Sequence, residues 1–308
     1  MTSHERRKRI GVIGAGVIGR ARLAIWPRLG VDVSGVCARH FEHAVTAARI
    51  GGCRPFDSVD ALLARSDVAD ICLPTDLHYR AVEQAARAHC DIICEKPLAI
   101  DEADVEAMFD LCEAAEVRLF VAMVVRFFPQ YRAALQQVQS GQFGAVREIV
   151  LTRVGSPPPP MDSWFHDDRR SGGMLTDLLI HDVDYAMWVA GKVDSVTANV
   201  ERAGARQYAR MVLTHVNGVV TCIEGGWLES GPPLDAHGSI RCERGVVEIA
   251  PGNAAVPASD PYEEQLRHFL HSLGSGTAFL VGRDEVVHET RVLAAARQSA
   301  ATGRAVSI

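Results

Sequence analysis

Three stretches of the sequence place chemically capable residues at telling spacings. The first is "GAGVIG", Gly14-Ala15-Gly16-Val17-Ile18-Gly19, which closes an apolar run and opens a stretch of helical spacing. In a strand–turn–helix setting Gly14 permits the tight turn and Gly16 lets the backbone approach a pyrophosphate. Gly19 lets helix and strand pack closely, and the first helical N–H groups, at Val17 and Ile18, face the phosphates. The second stretch is "ICEKPLAI", where Glu95 and Lys96 stand side by side at the end of an apolar run that Pro97 stops. The third is "TDLLIHDVDY". On a helix its Asp177 and His181 point the same way one turn apart, with Asp184 roughly on that face at i+7. An imidazole titrating near pH ~6.5 beside a carboxylate can move a proton. Plainer readings stand beside each of these. They are a glycine turn without ligand, a surface ion pair at a strand end, and a satisfied core histidine with helix-surface aspartates. An Asp/His/Asp metal site lacks further strong ligands nearby, so no metal is expected.

The elements that must hold these residues change character along the chain. Through residue 125, β-rich runs ("RIGVIG", "VDVSGVCA", "ADICLP", "DIICEKP", "RLFVAMVV") alternate with helical stretches such as "HYRAVEQAARAH". That alternation predicts right-handed crossovers and a parallel, doubly wound sheet buried on both faces. Residues 126–308 read differently. "AVREIVLTRVG" is a strand, "SPPPPMDSWFHDDRRS" a loop, and "GGMLTDLLIHDVDYAMWVAG" a helix closed by Gly191. Strands with short turns follow, among them a hairpin marked by Asn217-Gly218, and two helices at roughly 260–274 and 282–302. The expectation is an α/β protein: a dinucleotide-binding domain over 1–125 and an α+β domain over 126–308 with a largely antiparallel sheet.

In a dinucleotide fold the end of the second strand meets the adenosine ribose. An acid there bonds the 2′-hydroxyl of NAD. This chain offers Ala38, Arg39 and His40. A missing acid and a guanidinium favour the 2′-phosphate of NADP, with NAD use open.

The glycine loop, "PTDLHYRAVEQAARAHCDIICEKPLAI", "MVVRFFPQY" and "GGMLTDLLIHDVDYAMWVAG" together resemble the glucose–fructose oxidoreductase/inositol dehydrogenase family of NAD(P)-dependent sugar and polyol dehydrogenases. The final "LAAARQSAATGRAVSI" is similar to that family's last helix and strand, so the resemblance runs nearly the whole length. It implies that Lys96 stands beside the nicotinamide and hydrogen-bonds the reacting oxygen, where a cation favours developing negative charge. It implies His181 as general acid/base, with Asp177 orienting it or binding a neighbouring hydroxyl. Glu95 would contact the nicotinamide side or anchor the lysine. Pro74, Thr75 and His78 would line the cofactor channel, and Arg126 would lie near the active site. Trp164 and Arg169, in a loop with Asp162 and His166, would reach the sugar. Pro157–Pro160 depart from the family pattern and leave the shape of that loop open. The implied activity is hydride transfer with a secondary alcohol or ketone of a sugar or cyclitol. A dinucleotide-binding regulator without turnover and a reductase of non-sugar substrates remain alternatives.

The whole-chain totals exclude several classes. A net charge of −6 gives no electrostatic reason to expect nucleic acid or an anionic membrane as partner. No run reaches the ~18 apolar residues of a membrane span. Basic residues at 6–9 precede "GVIGAGVIG", which is too glycine-rich for a signal core. The eight cysteines form no C-x-x-C pair and read as free thiols of a cytoplasmic protein. Apolar positions in "VLTHV" and "VVTCIEGGW" point to a homodimer or homotetramer through the second sheet.

Overall fold

The structure, a computed structural model, describes residues 7–158, 163–204, 206–228, 234–250 and 260–308. Arg6, Pro159, Pro160 and Asp162 lie outside them. Packing divides the chain into two compact units. The first takes Met1–Ala99, Ala103–Ala122 and Tyr262–Arg283, and the second Ile100–Glu102, Met123–Pro261 and Asp284–Ile308.

The first unit is built on six parallel strands among the described residues. They are β1 (Arg9–Ile13), β2 (Asp32–Cys37), β3 (Arg54–Phe56), β4 (Val68–Ile71), β5 (Asp91–Glu95) and β6 (Leu119–Ala122), in the order β3-β2-β1-β4-β5-β6. The strands of β4 and β6 are buried at every position, as a sheet covered on both faces requires. β3 is a strand that the alternation of apolar runs does not reveal, because it is three residues long and contains Pro55. Its place at the sheet edge tolerates the missing N–H. Strand order reverses between β1 and β4, and ligands of such sheets sit beyond the carboxyl ends of the strands at that reversal. The helix Pro261–Ser275, which the sequence reading places with 126–308, packs in this unit. Phe269 meets Trp26 and Phe120 at ring-centroid distances of 6.4 and 5.7 Å.

The second unit carries a mixed sheet of β7 (Val146–Gly155), β8 (Val193–Ala203), β9 (Arg206–His215), β10 (Val220–Trp227), β11 (Leu234–Cys242), β12 (Gly245–Ile249) and β13 (Val306–Ser307). Its order is β12-β11-β7-β10-β9-β8-β13, antiparallel except for the parallel pair β7–β10. Along β9 buried Ala209, Met211 and Leu213 alternate with exposed Arg210 and Val212, so one face is covered and the other open. The helix Ile180–Ala190 packs against β7 and β10 on the covered side. The β9–β10 hairpin turns through Asn217 and Gly218, with Gly218 at φ +84° and the Asn217 side chain accepting from Val219 N at 3.1 Å.

The stretch "GGMLTDLLIHDVDYAMWVAG" is not one helix. It divides into Gly173–Asp177 and Ile180–Ala190. The N–H groups of Leu178 and Leu179 both donate to Met174 O, at 3.0 and 3.2 Å, so the second bond spans five residues. This is a single widened turn, a π-type insertion of the kind often found at functional sites. The apolar period continues through it, which is why the pattern predicts an uninterrupted helix. Asp177 and His181 therefore do not lie on one straight helical face.

Candidate active site

In the first unit the three glycines hold three different positions. Gly14 sits at φ +114°, and a Cβ there would lie 2.2 Å from Cys72 O. A Cβ at Gly19 would lie 2.1 Å from Gly14 O. Neither position has room for a side chain unless the backbone shifts. A Cβ at Gly16 would meet nothing within 4 Å, so its outer side is open to a ligand. Gly16 is the N-cap of the helix Val17–Ile25 and offers no side-chain cap to the first N–H groups. Val17 at its start is 86% exposed. Uncapped amides at a helix start, reached over a bare glycine, make a cradle for phosphate oxygens.

Ala38, Arg39 and His40 follow the last residue of β2, and Arg39 and His40 are exposed. Among the described residues Arg39 makes no hydrogen bond or ion pair. Pro74 and Thr75 follow β4, and the buried Thr75 Oγ1 has no hydrogen-bond partner among the described residues. His78, expected to line the cofactor channel, is surrounded by backbone carbonyls. It is 1% exposed, with Nδ1 at 2.9 Å from Pro97 O and 3.2 Å from Leu98 O, and Nε2 at 2.9 Å from Leu73 O. Carbonyl oxygens stand at both ring nitrogens, and a neutral ring donates to one side only, so it lies wedged between Leu73 and the loop after Lys96. Burial holds its pKa below the ordinary value, against the upward pull of those carbonyls.

Glu95 ends β5 and is held by Arg22, a fully buried guanidinium that also binds Asp70. Trp26 Nε1 donates to the other Asp70 oxygen at 2.7 Å. Burial pushes Arg22 toward neutrality, but Asp70 and Glu95 outweigh it and raise its pKa. The Glu95 carboxylate is thus tied to Arg22 at the strand end. Lys96 follows, half-buried, joined to Pro97 by a cis peptide bond. Sequence reasoning missed Arg22. The available signal was Asp70, a charge in the otherwise apolar run "ADICLP", which demands a buried partner.

In the second unit Asp177 is buried at the end of its short helix, and His181 is half-buried in the first turn of the next. Arg126, expected near the active site, is held by two carboxylates. Its Nε and Nη2 donate to Asp184 at 2.9 and 2.7 Å, and Nη2 also reaches Glu285 at 2.9 Å. It is 1% exposed and lies over the Trp188 ring at 5.2 Å. Asp184 is accordingly turned to Arg126 and does not join an Asp177–His181 cluster. Asp182 is likewise taken, by Arg153 at 2.7 Å. Trp164 stacks on Phe165 at 4.0 Å between centroids, and Arg169 is exposed and bonded to Asp167. His166 Nε2 lies 2.8 Å from Pro158 O.

A doubly wound parallel sheet with this glycine turn at its reversal point is a dinucleotide-binding fold, joined here to a second unit on a mixed sheet. Residues 8–123 match a family model described as an oxidoreductase family with an NAD-binding Rossmann fold. Residues 131–248 match the GFO/IDH/MocA C-terminal domain. The chain belongs to this oxidoreductase family. An inositol 2-dehydrogenase of Rhizobium meliloti (strain 1021) is 33% identical over 194 residues, 62% of this chain and 57% of the relative. The chain thus spans little more than half of that protein. A D-xylose 1-dehydrogenase (NADP(+)) of Haloferax volcanii is 27% identical over 289 residues, 86% of this chain and 88% of the relative. The crystal structure of a myo-inositol dehydrogenase from Corynebacterium glutamicum ATCC 13032 has a TM-score of 0.84 over 98% of this chain and 99% of its own. At 22% identity that likeness concerns the fold. Among the described residues no helix is long and apolar enough to cross a membrane.

Proposed function

We propose that this chain transfers a hydride between a nicotinamide cofactor, NADP(H) by preference, and a secondary alcohol or ketone of a sugar or cyclitol. The observation that carries the reading is the contrast among the glycines: Gly14 and Gly19 have no room for a side chain, while Gly16 faces open space. A turn needed only for packing has no use for a bare outer face. The same contrast makes the residues fit a dinucleotide. Gly14, Gly16 and Gly19 with the amides of Val17 and Ile18 would hold its pyrophosphate. The unpartnered Arg39, beside Ala38 and His40, would take the 2′-phosphate. Pro74 and Thr75 would line the path toward the nicotinamide.

The bound nicotinamide supplies the hydride acceptor or donor. Lys96 hydrogen-bonds the substrate oxygen and favours negative charge as it develops there. His181 takes the hydroxyl proton in oxidation and returns it in reduction. Asp177 orients the imidazole or holds a neighbouring hydroxyl. Glu95 acts through Lys96, fixed by Arg22. Trp164 and Arg169 are assigned to the sugar side. Sugar and cyclitol substrates are supported by the names of the relatives, an inositol and a xylose dehydrogenase. Exposed Val150 and Val212 on the open face of β7 and β9 support a homodimer or homotetramer through that sheet. Eight unbridged cysteines suit a reducing cytoplasm.

The test is a fluorescence titration of the purified protein with NADPH and NADH. Tighter NADPH binding is expected, with Arg39→Ala losing about tenfold for NADPH and little for NADH, the loss of one charge-assisted contact. Equal or tighter NADH binding in the wild type overturns the NADP preference.

A further inference from the structure

We propose that a cavity in the second unit, which the proposed hydride transfer does not use, binds a small carboxylate with an aliphatic body, the carboxylate lying on Arg297. The cavity measures about 320 Å³, within the range of small-ligand sites. Met174, Leu175, Val200 and Ala301 form much of its wall, and Asp168, Arg202 and Arg297 are its charged lining.

The two arginines differ in one respect that decides the ligand. Arg202 is neutralised by Asp168, Nη2 to Oδ2 at 2.6 Å. Arg297, on the helix Arg283–Thr302, bonds only neutral oxygens: Nη1 donates to Thr176 Oγ1 at 2.6 Å and Nη2 to Ile100 O at 3.1 Å. Among the described residues no carboxylate stands within ion-pair distance of it. A half-buried guanidinium without a counter-ion is costly, and burial pulls its pKa down, with Asp101 only partly opposing. The two neutral bonds fix the plane of the fork and leave further N–H donors for a ligand.

The charge of the lining then sets the valence. One unbalanced cation remains after Asp168 and Arg202 cancel. A monoanion completes it, whereas a phosphate dianion would bring a second negative charge toward Asp168. A planar carboxylate also matches the guanidinium fork. The wall of Met174, Leu175, Val200 and Ala301 suits an aliphatic body rather than a hydroxylated one. An occupant would sit against the bonds that tie Thr176, the residue before Asp177, and Ile100, four residues after Lys96.

The proposal does not rest on the hydride-transfer reading, because its readout is binding to the full chain without cofactor. Saturation-transfer NMR and calorimetry would be run with 4-methylpentanoate, with 4-methylpentan-1-ol and with inorganic phosphate. The carboxylate is expected to bind in the millimolar range, and the alcohol and phosphate far more weakly. Arg297→Met should weaken the carboxylate about tenfold or more, the loss of a charged hydrogen-bond partner. Ala301→Trp, which fills the cavity from its wall, should block it with Arg297 intact. Equal binding of alcohol and carboxylate by the wild type, preference for phosphate, or no carboxylate binding each overturns the proposal. So does unchanged affinity in either folded variant.

Discussion

Arg22→Met removes a guanidinium held with 0% exposure between two carboxylates. Methionine occupies much the same apolar stem, so the loss is chiefly the charge and its hydrogen bonds. Asp70, also at 0%, would keep the Trp26 indole at 2.7 Å and the Cys72 thiol at 3.5 Å, and neither is a counter-ion. Glu95, with 15% side-chain exposure, can turn toward water and loses less. Removing one partner of a buried ion pair costs about 3–5 kcal/mol. That is a large part of the roughly 5–15 kcal/mol that holds a domain folded, yet within reach of measurement. Asp70→Asn in the same background removes the stranded charge and keeps an acceptor for Trp26. The double variant should therefore be more stable than the sum of the two single losses predicts, by about 1–3 kcal/mol. Urea denaturation of wild type, both single variants and the double variant, followed by circular dichroism, measures all four corners. A loss below about 1 kcal/mol for Arg22→Met, or strict additivity in the double variant, refutes the reasoning.

Gly16→Ala and Gly19→Ala should separate ligand approach from packing. Gly16→Ala meets nothing within 4 Å and should leave the urea midpoint nearly unchanged while weakening NADPH about tenfold or more. Gly19→Ala, whose Cβ would lie 2.1 Å from Gly14 O, should destabilise the fold by about 1–3 kcal/mol. Wild-type NADPH affinity in Gly16→Ala would remove the cradle assignment. For His78, a folded pKa below the ordinary 6.5 means that the unfolded chain binds the proton first as pH falls. The stability the neutral ring contributes is complete above 6.5 and is lost as pH drops through the folded pKa. The difference in urea midpoint between wild type and His78→Gln should therefore be larger at pH ~7.5 than at pH ~5.5. A difference that grows toward low pH would show the ring to be charged in the folded state.

What was legible in the sequence is what local chemistry dictates. The glycine turn is set by contacts within the loop and with its neighbouring strand, so "GAGVIG" announces it directly. The parallel sheet follows from apolar runs buried on both faces. The partners of buried charges are not local. Arg22 finds Asp70 and Glu95 at 48 and 73 residues' distance, and Arg126 finds Asp184 at 58. The resemblance therefore places Glu95, Arg126 and His78 near a ligand but carries no word of the internal bonds that also hold them. The widened turn at Leu179 is hidden for another reason: one extra residue leaves the apolar period readable on both sides. The helix Pro261–Ser275 is amphipathic and could cover either sheet by its pattern. The Phe269, Trp26 and Phe120 cluster decides for the first unit, and no single segment of sequence contains that choice.

The central claim is that Lys96 and His181 carry out hydride-transfer chemistry on an alcohol. The most direct test follows nicotinamide absorbance for wild type, Lys96→Met and His181→Ala against a panel of sugars and cyclitols, with NADPH affinity measured in parallel. The expected result is turnover by the wild type, a loss of about a hundredfold or more in each variant, and NADPH affinity retained in all three. Turnover in either variant within a few-fold of wild type would contradict the roles assigned. Tight NADPH binding by all three with no hydride transfer from any alcohol would point instead to a dinucleotide-binding regulator.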